Sequence, residues 1–216
     1  MQKRHRIFIA INLPEEIKRE LYKIQERLAE KFTPHQSEGF GLGPVKWTKK
    51  DQLHITLEFL GDLTDQELAE VCKIAKEVGE RHKPFSVELN KISYAGVRPG
   101  SDLGQTPRMI WAGGEKSDEL NELKQDLQNY LFEEATPSAL DVKSLAGRRT
   151  SPDFFPHITL ARIKEWEFKK IEPEERPEIS EEINLPFTVE SIEVMESELK
   201  RAGPVYTILE SCPFED

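Results

Sequence analysis

The chain has 216 residues, a formal net charge of −10, and a composition that is 37% hydrophobic and 32% charged. This apolar content suffices for one domain or two small lobes that share a core. The acidic balance argues against a protein that coats long nucleic acids, because such proteins neutralise many phosphates with Lys and Arg. No apolar run approaches about 18 residues, so we expect neither a signal peptide nor a membrane span. Cys72 and Cys212 form no CxxC pair, which discounts a disulfide framework and favours a cytoplasmic protein.

Strand and helix patterns alternate along the chain. A β-branched apolar run predicts a first strand at residues 6–13, and apolar residues at helical spacing then predict a helix over residues 15–31. Thr64 and Glu67 have the spacing of a capping box, which predicts a helix start at residue 65. The other predicted elements are strands at 53–60, 85–92, 108–112, 155–162 and 185–195, and a helix that begins near residue 117.

The two halves of the chain repeat each other. His-Ile-Thr-Leu occurs at 54–57 and again at 157–160, and Phe-Ser-Val-Glu at 85–88 matches Phe-Thr-Val-Glu at 187–190. Phe8 and Trp111 each lie 46 residues before their His-Ile-Thr-Leu motif. Two copies at this long period indicate an internal duplication over about 6–92 and 108–195, and not a solenoid. We therefore predict a single bilobal domain over residues 1–216 of the α+β class. Two mostly antiparallel sheets, related by a pseudo-twofold axis, carry helices on the outside and enclose a central cleft.

The repeated motif places chemistry on one strand face. Side chains alternate along a strand, so His54 and Thr56 share a face, as do His157 and Thr159. A single His-x-Thr motif in a strand more often has a structural role. Duplication of a core preserves its apolar residues, but it does not explain why polar residues are kept on the face away from the core. The repeated motif therefore favours a functional role. Two imidazoles near their ordinary pKa can act as an acid and a base, while two hydroxyls hold a phosphate's oxygens. The residues alone do not say which histidine is the acid.

Four stretches resemble one family of enzymes. They read RIFIAINLP at 6–14, VKWTKKDQLHITLEFLGD at 45–62, PRMIWAGG at 107–114 and FPHITLAR at 155–162. These segments resemble the RNA 2′,3′-cyclic phosphodiesterase group, once called 2′-5′ RNA ligases, of the 2H phosphoesterase superfamily. The resemblance implies hydrolysis of a 2′,3′-cyclic phosphate to a 2′-phosphate, with RNA 3′ ends or nucleotides as partners. It also implies that His54 donates the proton to the leaving 3′-oxygen and that His157 activates water.

Two further residues are candidate substrate ligands. Phe8 is a candidate for stacking on a base, with ordinary core packing as the alternative. Arg162 is a candidate phosphate ligand, although strict alternation puts it on the face opposite His157 unless the strand bends. Arg148 and Arg149 lie in the loop at 135–153, where a solvated charged pair is favoured over an RNA contact.

Several alternatives remain open at this stage. No cofactor is expected, and a zinc site is discounted because neither motif has a second His or Cys nearby. Ligation at the same site, in which a 5′-hydroxyl replaces water and a 2′-5′ linkage forms, is expected only as a side activity. A non-catalytic module that binds RNA ends or nucleotides is the competing class. Nothing in the sequence demands more than a monomer.

Overall fold

A computed structural model describes residues 3–32, 43–96, 106–134, 154–201 and 203–215. Arg148 and Arg149 therefore lie outside the described residues. The strands of the described ranges are β1 (His5–Asn12), β2 (Val45–Trp47), β3 (His54–Leu63), β4 (Phe85–Ala95), β5 (Met109–Gly114), β6 (His157–Ile163), β7 (Ser180–Val189), β8 (Ser191–Lys200) and β9 (Gly203–Pro213). The helices are α1 (Glu15–Lys31), α2 (Asp65–Gly79), α3 (Asp118–Glu134) and the single turn α4 (Glu165–Phe168), with 3₁₀ turns at Lys50–Gln52 and Pro173–Glu175.

Local signals set the helices where the sequence predicts them. The capping box forms at the start of α2, where the Thr64 N–H donates to Glu67 at 2.7 Å and the Glu67 N–H donates to the Thr64 hydroxyl at 3.4 Å. Helix α1 buries Ile17, Leu21 and Leu28 in the main hydrophobic core, as its apolar spacing predicts. Helices α1 and α3 are both 17 residues long and start 103 residues apart, so the duplication extends to the helices.

The strands form one antiparallel sheet built from two halves. Its order is β7-β4-β5-β6-β3-β1-β8-β9, with β2 added beside β6. The halves meet between β3 and β6, where Ile55 pairs with Ile158. The antiparallel α+β architecture and the two related halves are confirmed. The structure joins the two predicted sheets into one continuous sheet, because the central strands β3 and β6 pair with each other.

The predicted strand at 185–195 is two strands. Strand β7 ends at Val189 and β8 begins at Ser191, yet the two lie in different halves of the sheet. A flat sheet would hold strands six places apart at about 29 Å, whereas two residues of chain span about 7 Å. The sheet must therefore curve until its halves approach each other. The two repeated Phe-x-Val-Glu segments pair with each other near this connection, where Val87 lies opposite Phe187.

One β-bulge on β3 and one on β6 lie at equivalent positions of the two central strands. Ile9 pairs with Glu58 and Ala10 with Thr56, so Leu57 is left over on β3. In the other half, Ile110 pairs with Ala161 and Trp111 with Thr159, so Leu160 is left over on β6.

Each bulge is held by a helix of the opposite half. The Leu57 carbonyl accepts a hydrogen bond from the Lys124 ammonium of α3 at 2.6 Å. The Leu160 carbonyl accepts one from the Gln25 amide of α1 at 2.8 Å. A bulge removes a residue from the ladder, so these side chains satisfy carbonyl groups near the point where pairing is interrupted.

Candidate active site

The four motif side chains converge on one groove. A cavity of about 1460 Å³ runs across the centre of the sheet, and His54, Thr56, His157 and Thr159 all line it. The register around the Ile55–Ile158 pair sets His54 across from Thr159 and Thr56 across from His157. Directly opposed residues in an antiparallel pair have Cα atoms about 4.5–5.5 Å apart. The two motifs are 103 residues apart in the chain, and the fold brings them to one place.

The bulges at Leu57 and Leu160 determine which residues after each His-x-Thr motif face this groove. Trp111 and Met109 share a face of β5 and pair with Thr159 and Arg162, so Arg162 lies on the same face as the second motif. Strict alternation, which predicts the opposite face for Arg162, is wrong here because the bulge at Leu160 reverses it. Arg162 lines the groove and is exposed.

The matching bulge on β3 turns Glu58 inward and Phe59 outward. Glu58 is only 2% exposed and accepts a hydrogen bond from the Gln128 amide at 2.7 Å, although a glutamate at a strand end is expected in solvent. Phe59 lies at the position that corresponds to Arg162, lines the groove and is 58% exposed. The predictions from alternation did not include Phe59 because the bulge has no signature in the letters of this strand.

Both histidines are held by their own chain in the same way. The Nδ1 atom of His54 lies 2.7 Å from the Gln52 carbonyl oxygen, and Nδ1 of His157 lies 3.0 Å from the Phe155 carbonyl oxygen. A carbonyl only accepts, so each Nδ1 carries a proton and donates it. In its neutral form, each ring therefore leaves Nε2 as the atom available for chemistry. Nε2 of His54 lies 3.0 Å from the Thr56 hydroxyl.

Aromatic rings pack against each imidazole. Phe8 contacts His54 with ring centroids 5.1 Å apart, and Tyr206 meets the same imidazole edge-on at 5.3 Å. Trp111 lies over His157 with centroids 4.2 Å apart and an interplanar angle of 31°. The equal spacing of Phe8 and Trp111 before the two motifs thus reflects an equivalent contact in each half. Phe8 is 3% exposed, and its stacking on a base stays a prediction.

The surroundings of His54 lower its pKa. Burial of the ring is the largest cause, and the positive charges of Lys18 and His157 act in the same direction. The hydrogen bond to the Gln52 carbonyl opposes the shift. The shift favours the neutral imidazole.

The other histidines in the described part of the chain form pairings outside the groove. In the described ranges, no three His, Cys, Asp or Glu residues are grouped so as to hold a metal ion. His5 contacts Glu196 and Asp65, and His82 contacts Asp126, which are structural pairings away from the groove. None of the helices described is both long and apolar enough to cross a membrane.

A family model recognises each half of the chain separately. The model described as LigT like Phosphoesterase matches residues 11–101 and again residues 114–206. The two matches cover most of the chain and start 103 residues apart, consistent with the duplication.

The chain belongs to the LigT-like phosphoesterase family.

Curated relatives align with nearly the whole chain. An RNA 2′,3′-cyclic phosphodiesterase of Thermotoga maritima is 28% identical over 213 residues, covering 97% of this chain and 96% of its own. One of Archaeoglobus fulgidus with the same name is 30% identical, covering 93% of this chain and 96% of its own.

Solved structures show the LigT-like fold. The crystal structure of TT0787 of Thermus thermophilus matches with a TM-score of 0.72 at 30% identity and covers 97% of both chains. The structure of E. coli LigT complexed with 3′-AMP matches with a TM-score of 0.63 at 20% identity, covering 99% of this chain and all of that one. At that identity the second likeness concerns the fold alone.

Proposed function

We propose that this protein hydrolyses 2′,3′-cyclic phosphate ends of RNA to 2′-phosphates, using His54 and His157 and no metal ion. The observation that carries the proposal is the juxtaposition of the two motifs across the Ile55–Ile158 pair, with all four polar side chains in one groove. The relatives that align with nearly the whole chain bear the name of this activity.

In the proposed reaction, His157 accepts one proton from water and His54 donates one proton to the leaving oxygen. Nε2 of His157 accepts a proton from a water molecule, whose oxygen attacks the phosphorus atom. The bond between phosphorus and the 3′-oxygen breaks as Nε2 of His54 donates its proton to that oxygen. The phosphate stays on the 2′-oxygen. His157 ends protonated and His54 neutral, and exchange with solvent restores the starting state.

The Nδ1–H tautomers of His54 and His157 support proton transfer at the Nε2 atom of each ring. Because the Gln52 and Phe155 carbonyls hold the two Nδ1–H groups, both Nε2 atoms are available to water and substrate. The assignment of acid to His54 and base to His157 comes from the family resemblance. Entry of the phosphate anion opposes the lowered pKa of His54 and favours the charged form that a proton donor needs.

The threonines supply donors for the developing charge. Thr56 and Thr159 lie on the groove face beside the two imidazoles, where their hydroxyls can donate to the non-bridging oxygens of the phosphate. The Thr56 hydroxyl also lies within hydrogen-bond distance of His54, so it links the acid to the anion site.

The deciding assay offers the purified protein a nucleoside 2′,3′-cyclic phosphate with excess EDTA. We expect turnover to the nucleoside 2′-phosphate, identified by chromatography against the 2′ and 3′ standards. A 3′-phosphate product would overturn the assigned leaving group, and loss of activity in EDTA would overturn metal independence. Binding without turnover would support the competing binding module.

Ligation is the same displacement with a 5′-hydroxyl in place of water: its oxygen attacks the phosphorus, the bond to the 3′-oxygen breaks, and a 2′-5′ linkage remains. Because water is abundant, we propose it only as a side activity, detectable as a 2′-5′ linked product at high RNA concentration. A monomeric state and a cytoplasmic location also remain predictions.

A further inference from the structure

The two histidines of the groove are supported by different kinds of backbone. Gln52, whose carbonyl accepts the His54 proton, ends a 3₁₀ turn and donates its own N–H to the Lys49 carbonyl at 2.9 Å. Phe155, whose carbonyl accepts the His157 proton, lies outside every helix, strand and turn of the described chain. Because no local turn contains Phe155, contacts from other elements must hold its carbonyl in place.

Asn121 on α3 holds the residue just before Phe155. Its side-chain oxygen accepts a hydrogen bond from the Phe154 N–H at 2.7 Å, and its amide donates to the Phe154 carbonyl at 3.2 Å. The same amide donates to the Ser117 carbonyl at 2.7 Å, one turn earlier in the chain. One side chain thus fixes both backbone polar groups of Phe154 to the first turn of α3.

Two further contacts complete the support beneath His157. The ammonium of Lys124 lies 4.5 Å from the centre of the Phe154 ring, and that ring contacts His157 with centroids 5.9 Å apart. The Pro156 carbonyl accepts a hydrogen bond from the Gly114 N–H at 3.0 Å. Residues 154 and 156 are therefore tied to α3 and β5, and the residue between them presents its carbonyl to the imidazole.

The amide of Asn121 is fully engaged in this support. A carboxamide has two N–H donors, and here they serve the carbonyls of Ser117 and Phe154. Although Asn121 lines the groove, binding a phosphate oxygen would require a donor that is already in use. The side chain is therefore suited to act on the reaction through the backbone of Phe154 and not by contact with a substrate.

The same helix position serves the other half of the protein. Lys18 lies on α1, 103 residues before Asn121, which is the offset that separates the two His-x-Thr motifs. Its ammonium pairs with Glu15 at 3.5 Å, and Glu15 pairs with Lys50 of the 3₁₀ turn at 3.1 Å. In each half, this helix position connects to the segment that precedes the histidine, through ion pairs in one half and through an amide in the other.

We infer that Asn121 is the positioning residue of His157. By fixing Phe154 it holds the Phe155 carbonyl where that carbonyl accepts the Nδ1 proton, which directs Nε2 of His157 into the groove. The expected effect on rate rests on the proposed cyclic phosphodiesterase activity, whereas the expected effect on the ring does not.

The test compares Asn121→Ala with Asn129→Ala. Asn129 is the matched control, because it is exposed on the same helix and does not line the groove. Alanine is the better helix former, so neither change weakens α3 through its helix propensity. Long-range proton–nitrogen NMR spectra, recorded without substrate at a pH where both rings are neutral, report which ring nitrogen carries the proton.

We expect Asn121→Ala to shift His157 from the Nδ1–H form alone to a mixture of both tautomers, while His54 stays unchanged. Turnover of a nucleoside 2′,3′-cyclic phosphate should show kcat lowered by about 10- to 100-fold with little change in KM, the effect of a misplaced catalytic group. Asn129→Ala should leave both the spectra and the rate unchanged.

An unchanged His157 tautomer in Asn121→Ala would overturn the positioning role, and so would an equal change at both histidines, which would mark a general loosening. A raised KM with an unchanged tautomer would make Asn121 a substrate ligand instead. A shifted tautomer in a protein that, even unmodified, turns over no cyclic phosphate would overturn the proposed function and leave the positioning role in place.

Discussion

Ile55 and Ile158 pair with each other where the two halves of the sheet meet, and both side chains are fully buried. The residues on either side of each isoleucine point the other way, into the groove. One apolar pair thus anchors the two His-x-Thr motifs from opposite halves, and the precision with which they face each other follows from the packing of the core beneath them.

Replacing either histidine tests the acid–base assignment. We expect His54→Ala and His157→Ala each to lower kcat on a cyclic phosphate by on the order of 10²–10⁴, because each removes one proton transfer. His82→Ala is the control, since His82 pairs with Asp126 outside the groove. Near-normal turnover by either motif variant, with its thermal unfolding unchanged, would remove that histidine from the mechanism.

The threonine hydroxyls are tested by a change that keeps side-chain shape. Thr56→Val and Thr159→Val should each lower kcat by about 10²–10³, the effect of removing one donor to a developing negative charge. Thr→Ser at the same positions restores the hydroxyl and should recover most of the rate. Equal losses in the Val and Ser variants would point to packing instead of hydrogen bonding.

The pH dependence follows from the lowered pKa of His54. If His54 is the proton donor, as we propose, it is active when protonated, so activity is retained below its pKa and lost as the pH rises through it. The profile of kcat/KM reports the free enzyme, and the profile of kcat reports the complex, in which the bound anion raises the pKa.

We therefore expect the alkaline limb of kcat to lie at higher pH than that of kcat/KM, in rates measured from about pH 4 to 9. The values belong to the coupled pair of histidines. An alkaline limb that survives in His54→Ala and disappears in His157→Ala would reverse the two roles.

Gln25 connects helix α1 to the bulge that orients Arg162. Its amide donates to the Leu160 carbonyl at 2.8 Å and to the Thr48 carbonyl at 2.9 Å, and the side chain is 3% exposed. Gln25→Met leaves both bonds unmade, so we expect the free energy of unfolding to fall by about 1–3 kcal/mol in urea titrations. Glu26→Met, an exposed change on the same helix, should have little effect; an equal loss there would implicate helix propensity.

Phe8 and Phe59 should differ in what they do for the substrate. Phe59 is exposed in the groove, so Phe59→Leu should weaken binding of a nucleotide product by about 10-fold, the low end for one base stacking on an aromatic ring. Phe8 is buried against His54, so Phe8→Leu should lower kcat more than it weakens binding. Titration with a nucleoside 2′-phosphate, followed by turnover assays, separates the two; a larger binding loss in Phe8→Leu would restore Phe8 as the base platform.

Patterns within short segments of the sequence determined the helix positions and indicated the candidate site. The spacing of apolar residues set α1, the Thr64–Glu67 pair set the start of α2, and the repeated His-x-Thr motif indicated the site. These features depend on neighbours within a few residues, so the sequence carries them directly. The equal spacing of Phe8 and Trp111 before their motifs also predicts that the two residues are counterparts, and each contacts the histidine of its own half.

Only the tertiary structure decided which side chains after each motif enter the groove. The bulges at Leu57 and Leu160 reverse the alternation, bringing Phe59 and Arg162 to the groove and sending Glu58 into the interior. A bulge is a mismatch between two strands that are distant in sequence, and here it is held by hydrogen bonds from helices of the opposite half. Neither strand alone contains that information, because strand register is a property of the pair.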